Sequence, residues 1–298
     1  MNYSPLRYPG GKNKLSAFFA KICIDNKIDG HYVEPYSGGA AVALFLLLEG
    51  FVKEITINDK DRSIYAFWHS VLNNTNKLCS LIESAELNIP EWRKQKEIQA
   101  NKESADLLSL GFSTFYLNRT NRSGIINAGV MGGIEQNGNY LMDCRFNKPE
   151  LIQRIKNIAK HKKNIRLYRK DAVKLIDKIQ EEAQNENIIF YFDPPYYLKA
   201  STLYMNHYKE HNHKEVSDKI KAIQNIRWIV SYDNVPEIQK LYIDYPKKEF
   251  SFKHTAYESR LGKEVMFFSN NIVQPNIENY DPVKFKRVKN INNIIYKG

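Results

Sequence analysis

Ile188-Ile189-Phe190-Tyr191-Phe192-Asp193-Pro194-Pro195-Tyr196 is the stretch on which the reading of this chain turns. Five apolar and aromatic residues in a row, without alternation, are what a strand buried on both faces of a parallel sheet requires. The strand must stop at Asp193, because the prolines that follow lack an N–H and fix φ, which also stiffens the loop. Working outward, shorter strand-like runs stand at Tyr32–Glu34, Glu54–Ile57, Ile165–Tyr168 and Trp228–Ser231. Helical periodicity covers roughly 13–25, 40–50, 62–73, 93–117, 149–161, 172–184 and 213–225. Strands alternating with helices predict a doubly wound α/β sheet. Glu249–Phe252 and Glu264–Phe268 flank a polar loop and read as a hairpin at the sheet edge.

The alternation breaks between about 60 and 163, where helix follows helix into a stretch punctuated by Gly124, Gly129, Gly132, Gly133 and Gly138. That is too long for an ordinary crossover, since connections in compact domains are short. It predicts an inserted, mainly helical lobe at 61–163 and one sheet domain formed by 1–60 and 164–298. The 298 residues are 43 % hydrophobic, 12 % aromatic and 26 % charged, an ordinary globular composition. The longest apolar run, Ala40–Leu48, is less than half of the roughly 20 residues a membrane helix needs. Met1-Asn2-Tyr3-Ser4-Pro5 has no basic region leading into an apolar one, so no secretory signal is expected. Cys23, Cys79 and Cys144 are scattered, which disfavours a disulfide framework or a structural metal and suits a reducing cytoplasm.

The net charge of +11 is unevenly placed. Eleven Lys and Arg stand between Arg119 and Arg169 against Glu135, Asp143 and Glu150 alone, and a second basic run (Lys284, Lys286, Arg287, Lys289, Lys297) follows the last acid, Asp281. Each run reads either as a solvated face or as a surface for a polyanion. The first is set among glycine-rich and amide-rich loops, where phosphate contacts to nucleic acid are commonly carried.

Strand Tyr32-Val33-Glu34 runs through Pro35-Tyr36-Ser37-Gly38-Gly39 into an apolar helix. A glycine turn between strand and helix suits a nucleotide-like ligand, although neither a dinucleotide nor a P-loop fingerprint is met. Asp59 lies twenty residues past Gly39 at the tip of the next strand. It can hold ribose hydroxyls or cap a helix. Upstream, Arg7-Tyr8-Pro9-Gly10-Gly11-Lys12 is a tight turn that presents an aromatic ring and an ammonium. Asp193-Pro194-Pro195-Tyr196 is the most specific feature. A carboxylate and the Pro194 carbonyl, both aimed at an exocyclic amine, can localise a nitrogen lone pair otherwise delocalised into a base. Tyr196 can offer a flat face for an extruded base. Such a site transfers a methyl group by direct displacement, through positioning and electrostatics, with no metal.

With these residues in view, nearly the whole chain resembles the Dam-type DNA adenine methyltransferases. The resemblance rests on Arg7–Lys12, Glu34–Gly39, Asn58-Asp59, Tyr116-Leu117-Asn118-Arg119-Thr120 and Asp193–Tyr196. It implies a Rossmann-like class I methyltransferase sheet with a target-recognition lobe, S-adenosylmethionine as donor (leaving as S-adenosylhomocysteine) and a flipped adenine in duplex DNA as acceptor. It places Tyr8 and Lys12 at the methionine end of the cofactor, Glu34, Pro35, Tyr36, Ser37, Gly38 and Gly39 in its turn, and Asp59 on the ribose. Asp193 would bridge cofactor and target amine. Asp171 would lie beside the cofactor adenine or, equally, cap a helix. Asn118, Arg119, Asn121, Arg122 and Arg145 are the expected DNA contacts. The sequence departs from GATC-reading relatives after Thr120, with Asn121-Arg122-Ser123-Gly124 in place of an aromatic-Asn-Gly stretch. Arg122 then reads a guanine edge or grips phosphate, and Arg145 contacts DNA or pairs with Asp143. The implied setting is a bacterial or phage-encoded cytoplasmic protein, associated with the nucleoid through DNA, a monomer or weak dimer, with a separate restriction endonuclease as a possible companion. The alternatives are an RNA adenine methyltransferase or a catalytically silent nucleic-acid-binding module.

Overall fold

The apolar run forms β4 (Ile188–Phe192), buried along its whole length. Parallel to it lie β1 (His31–Glu34) on one side and β5 (Arg227–Asp233) on the other. Beyond β1 come β2 (Glu54–Asn58) and β3 (Ile165–Tyr168), also parallel. Beyond β5 the hairpin of β6 (Lys247–His254) and β7 (Arg260–Phe268) closes the sheet, with β7 antiparallel to both neighbours. The order is β3-β2-β1-β4-β5-β7-β6, a Rossmann-like sheet. This computed structural model describes residues 3–7, 11–183, 187–197, 210–254, 260–288 and 293–298, with the backbone alone at 252–254 and 260–261. Tyr8 and Lys289 therefore lie outside the described residues.

Alternation along β4 shows why the run must be apolar throughout. Ile189 and Tyr191 face one core, with α1 (Ser16–Asp25) and α2 (Ala41–Leu48). Ile188, Phe190 and Phe192 face the other, with α8 (Ala172–Glu182), α9 (Glu210–Lys221) and α10 (Pro236–Leu241). A strand covered by helices on both faces has no position left for a polar side chain.

Between β2 and β3 run α3 (Arg62–Asn73), α4 (Thr75–Ser84), α5 (Ile89–Ala100), α6 (Leu107–Thr120) and α7 (Lys148–Lys160). The single helix expected over 93–117 is two helices. Asp106 accepts from Leu108 N–H and Ser109 N–H and so begins a new one, while Asn88, with Pro90 in the first turn, starts α5 earlier. Helix α4 was not foreseen. At its root the segment shares one apolar core with the sheet, since Ile55, Phe67, Phe115 and Ile155 belong to the same cluster. Among the described residues no helix is long and apolar enough to cross a membrane.

Candidate active site

The order of the strands reverses between β1 and β4, and the carboxyl ends of parallel strands at such a switch point are where ligands bind in open α/β sheets. Glu34 closes β1. Its buried carboxyl accepts from Tyr32 Oη at 3.0 Å and from Ala43 N–H at 3.1 Å, supplying a partner to an N–H in the first turn of α2. Burial raises its pKa to about 8, against the pull of those two donors. Between Glu34 and α2 the chain turns through Gly38, at φ 44°, a left-handed conformation that a glycine takes without steric cost. Three side chains pin this turn. Trp68 Nε1 on α3 donates to Gly38 O at 2.9 Å, Asn58 Nδ2 donates to Pro35 O at 2.8 Å, and Asp59 Oδ2 accepts from Gly38 N–H at 3.1 Å.

Asp59 is not a helix cap. That task falls to Asp61, which accepts from Ser63 N–H and Ile64 N–H at the start of α3. Asp59 Oδ1 accepts instead from Asp61 N–H at 2.9 Å, so both oxygens point along the rim of the turn. Desolvation raises this carboxyl to about 7, and its two N–H donors oppose the rise. Ser37 Oγ is buried in the same turn without a hydrogen-bond partner among the described residues. Asp171 caps α8 through Val173 N–H and pairs with Lys60 at 3.0 Å.

The loop after β4 brings Asp193 to a buried ammonium. Lys12 Nζ stands 3.2 Å from Asp193 Oδ1, 3.1 Å from Glu264 Oε2 and 2.6 Å from Tyr196 Oη. Tyr196 Oη also donates to Glu264 Oε1. Ser231 Oγ on β5 donates to Asp193 Oδ1 at 2.9 Å and meets Tyr191 Oη at 2.8 Å. Both partners of Asp193 thus sit on Oδ1, and among the described residues no hydrogen bond reaches Oδ2. Burial lifts the Asp193 pKa, with Lys12 and Ser231 opposing and Glu264 assisting. Tyr196 is 2 % exposed, and the ammonium lies 5.0 Å from its ring centroid, so the open stacking face expected from sequence is turned inward here.

The expected DNA contacts separate into two groups. Asn118, Arg119 and Asn121 are buried and occupied with backbone. Asn118 bonds both polar groups of the Arg7 peptide and the Gly124 carbonyl. Arg119 Nε and Nη2 donate to Pro5 O. Asn121 accepts from Trp92 Nε1 and donates to Ile125 O and Ile126 O. These three therefore hold the loop in place, a use that sequence types alone did not reveal. Arg122 and Arg145 are exposed, and no ion pair joins Arg145 to Asp143 among the described residues. Half-buried Arg7 has its Nη1 buried without a hydrogen-bond partner among the described residues, and burial together with the charge of Arg145 lowers its pKa.

Glu264, Ser231 and Trp68 were missed from sequence. Glu264 had a signal, because period-2 alternation along β7 sets it on the face of Met266 and Phe268, where an acid demands a buried cation. Trp68 had a weaker one, as a buried indole N–H needs an acceptor.

The sequence pattern of the D12 class N6 adenine-specific DNA methyltransferases matches residues 8–260. The chain belongs to that family. Its reaction is accordingly the S-adenosylmethionine-dependent methylation of adenine in DNA. Among curated proteins it is similar to the type II methyltransferase M.MjaIII of Methanocaldococcus jannaschii, 25 % identical over 206 residues that cover 64 % of this chain and 68 % of that protein. Among solved structures it aligns with the rRNA methyltransferase aviRa from Streptomyces viridochromogenes at 11 % identity and a TM-score of 0.34, covering 86 % of this chain and 84 % of that one.

Proposed function

We propose that this adenine methyltransferase acts on a base turned out of duplex DNA at a specific sequence, with Asp193 and the Pro194 carbonyl as acceptors for the target amine. The observation that carries the reading is the division of labour at Asp193. Oδ1 is committed to Lys12 and Ser231, and Oδ2 has no hydrogen bond among the described residues. A carboxylate held by one oxygen presents the other in a fixed direction, and that preorganisation is what localising an amine lone pair requires.

The residues at the switch point fit the cofactor. The unpartnered Ser37 hydroxyl, the rim carboxyl of Asp59 and the Lys12 ammonium offer a hydroxyl, a carboxylate and a cation beside a turn that approaches closely through Gly38. In this reading Asp59 binds the ribose, and Lys12, with Tyr8 from the adjoining motif, meets the methionine end. Glu34, Pro35, Tyr36 and Gly39 shape the turn, and Asp171 borders the adenine. When bound, S-adenosylmethionine supplies a methyl group already activated on sulfonium and leaves as S-adenosylhomocysteine. Pro195 holds the loop, and Tyr196 holds the Lys12 ammonium beside Asp193. Arg7, Arg122 and Arg145 are assigned to the duplex, and the segment 61–163 to target recognition.

The test is incubation with labelled S-adenosylmethionine and DNA free of adenine methylation, followed by long-read mapping of modified adenines. A defined motif with every labelled adenine in one register is the expected result. Label confined to RNA, or scattered over all adenines, would overturn it. Asp193→Ala should bind cofactor and transfer nothing, and normal turnover would remove Asp193 from the mechanism.

A further inference from the structure

Glu264 stands apart from the motifs that define the site. It lies on β7, on the far side of β5 from the Asp193 loop, yet it is 1 % exposed and shares the Lys12 ammonium with Asp193. Tyr196 completes the arrangement by donating to Glu264 and meeting Lys12 at 2.6 Å. One cation therefore serves two buried carboxylates, and the ammonium is held from the Glu264 side as well as by the catalytic loop.

We propose that Glu264 is a positioning residue for methyl transfer, holding Lys12 against Oδ1 of Asp193 so that Oδ2 stays free, and fully basic, for the target amine. The inference rests on the reading of Asp193 given above. Among the described residues the ammonium faces two carboxylates, and loss of the Glu264 charge leaves more of its pull on Asp193, weakening that carboxylate as an acceptor. With Glu264 present the pull of the ammonium is divided between two carboxyl groups, so less of it falls on Asp193. Among the described residues the groups facing the Asp193 carboxyl are Lys12 ahead of α1, Glu34 at the end of β1, Tyr191 on β4, Ser231 on β5 and Glu264 on β7. Glu264 pushes the Asp193 pKa up and Lys12 pulls it down, so removing either moves it in a known direction.

The experiment is the pH profile of kcat at saturating S-adenosylmethionine and DNA, for the full chain and for Glu264→Gln, Glu264→Asp and Lys12→Met. In Glu264→Gln, kcat at saturating cofactor should fall about 10- to 100-fold, with the acid limb displaced to lower pH. Glu264→Asp keeps the charge and should keep the limb where it is. Lys12→Met should displace the limb the other way, to higher pH, and gives the comparison independently if Glu264→Gln does not fold. A lowered kcat with an unmoved limb in Glu264→Gln, or an unmoved limb in Lys12→Met, overturns the positioning role. If wild type methylates adenine normally and Glu264→Gln matches it, the Glu264 inference fails alone. If Asp193→Ala turns over normally, the reading beneath it fails as well.

Discussion

The Asn118 carboxamide brackets the Arg7 peptide, its Oδ1 accepting from Arg7 N–H at 2.7 Å and its Nδ2 donating to Arg7 O at 2.8 Å. The same Nδ2 reaches Gly124 O at 2.8 Å. Helix α6 thereby grips the N-terminal segment five residues ahead of Lys12, a residue of the proposed catalytic centre. Asn118→Ala leaves three buried backbone groups unpaired, and a loss of about 2–4 kcal/mol is expected. Urea unfolding measures it, and a change under about 0.5 kcal/mol would show that the bracket is dispensable.

Gly124 seals the same seam. It sits at φ +75°, and an added Cβ would lie 2.2 Å from the Arg7 carbonyl oxygen. Gly124→Ala must push the loop away from the N-terminal segment, at a cost of about 1–3 kcal/mol. A melting temperature equal to wild type would contradict this close approach.

Exposed and buried arginines should part company. Arg122→Gln with Arg145→Gln is expected to weaken DNA binding and lower the slope of log K against log salt by about one or two, with stability unchanged. Arg119→Gln should instead destabilise the fold, because burial and neighbouring guanidinium groups already hold its pKa down at about 9 and Pro5 O loses its donors. Equal salt slopes for the double variant and wild type would count against this interface.

Ser231→Ala removes one of the two partners of Asp193 Oδ1 and leaves Tyr191 Oη without its neighbour. A fall in kcat of about tenfold at unchanged cofactor affinity is expected, as for loss of one orienting hydrogen bond. Unaltered kcat would mean that Lys12 alone fixes Asp193.

Glu34 makes stability depend on pH in a definite direction. Its carboxyl titrates at about 8 when folded and at 4.5 without the fold. Between those values the folded protein keeps a proton that the unfolded chain releases, so stability is greatest below about 4.5 from this group and falls as pH rises toward 8. Asp59, raised to about 7, adds slope of the same sign. Glu34→Gln, whose Oε1 can still accept from Tyr32 and Ala43, should flatten the fall between pH 5 and 8, as read by unfolding free energies across that range. A slope as steep as that of wild type would place the proton elsewhere.

Much of this could be read from the chain alone. Uninterrupted apolar residues at 188–192 dictate a strand covered on both faces, and prolines at 194 and 195 dictate its end, because these are constraints on single segments. The glycine turn at 38–39 and the acid at Asp59 could be placed for the same reason. The boundary between α5 and α6 was hidden because Asp106 is ordinary in composition and acts only through its cap.

What the tertiary structure alone decided is which polar groups meet. Asn118 and Arg119 have the side chains of a nucleic-acid contact, and only packing against residues 5–7 shows them spent on backbone. Asp59 reads as a ribose ligand or a helix cap until the fold gives the cap to Asp61 and sets Asp59 on Gly38 N–H. Glu264 and Lys12 lie 252 residues apart and share one buried charge. Local sequence fixes how a segment folds. The pairing of distant charges depends on the order of strands in the sheet, and it is there that an acid of β7 reaches Lys12 and the loop after β4.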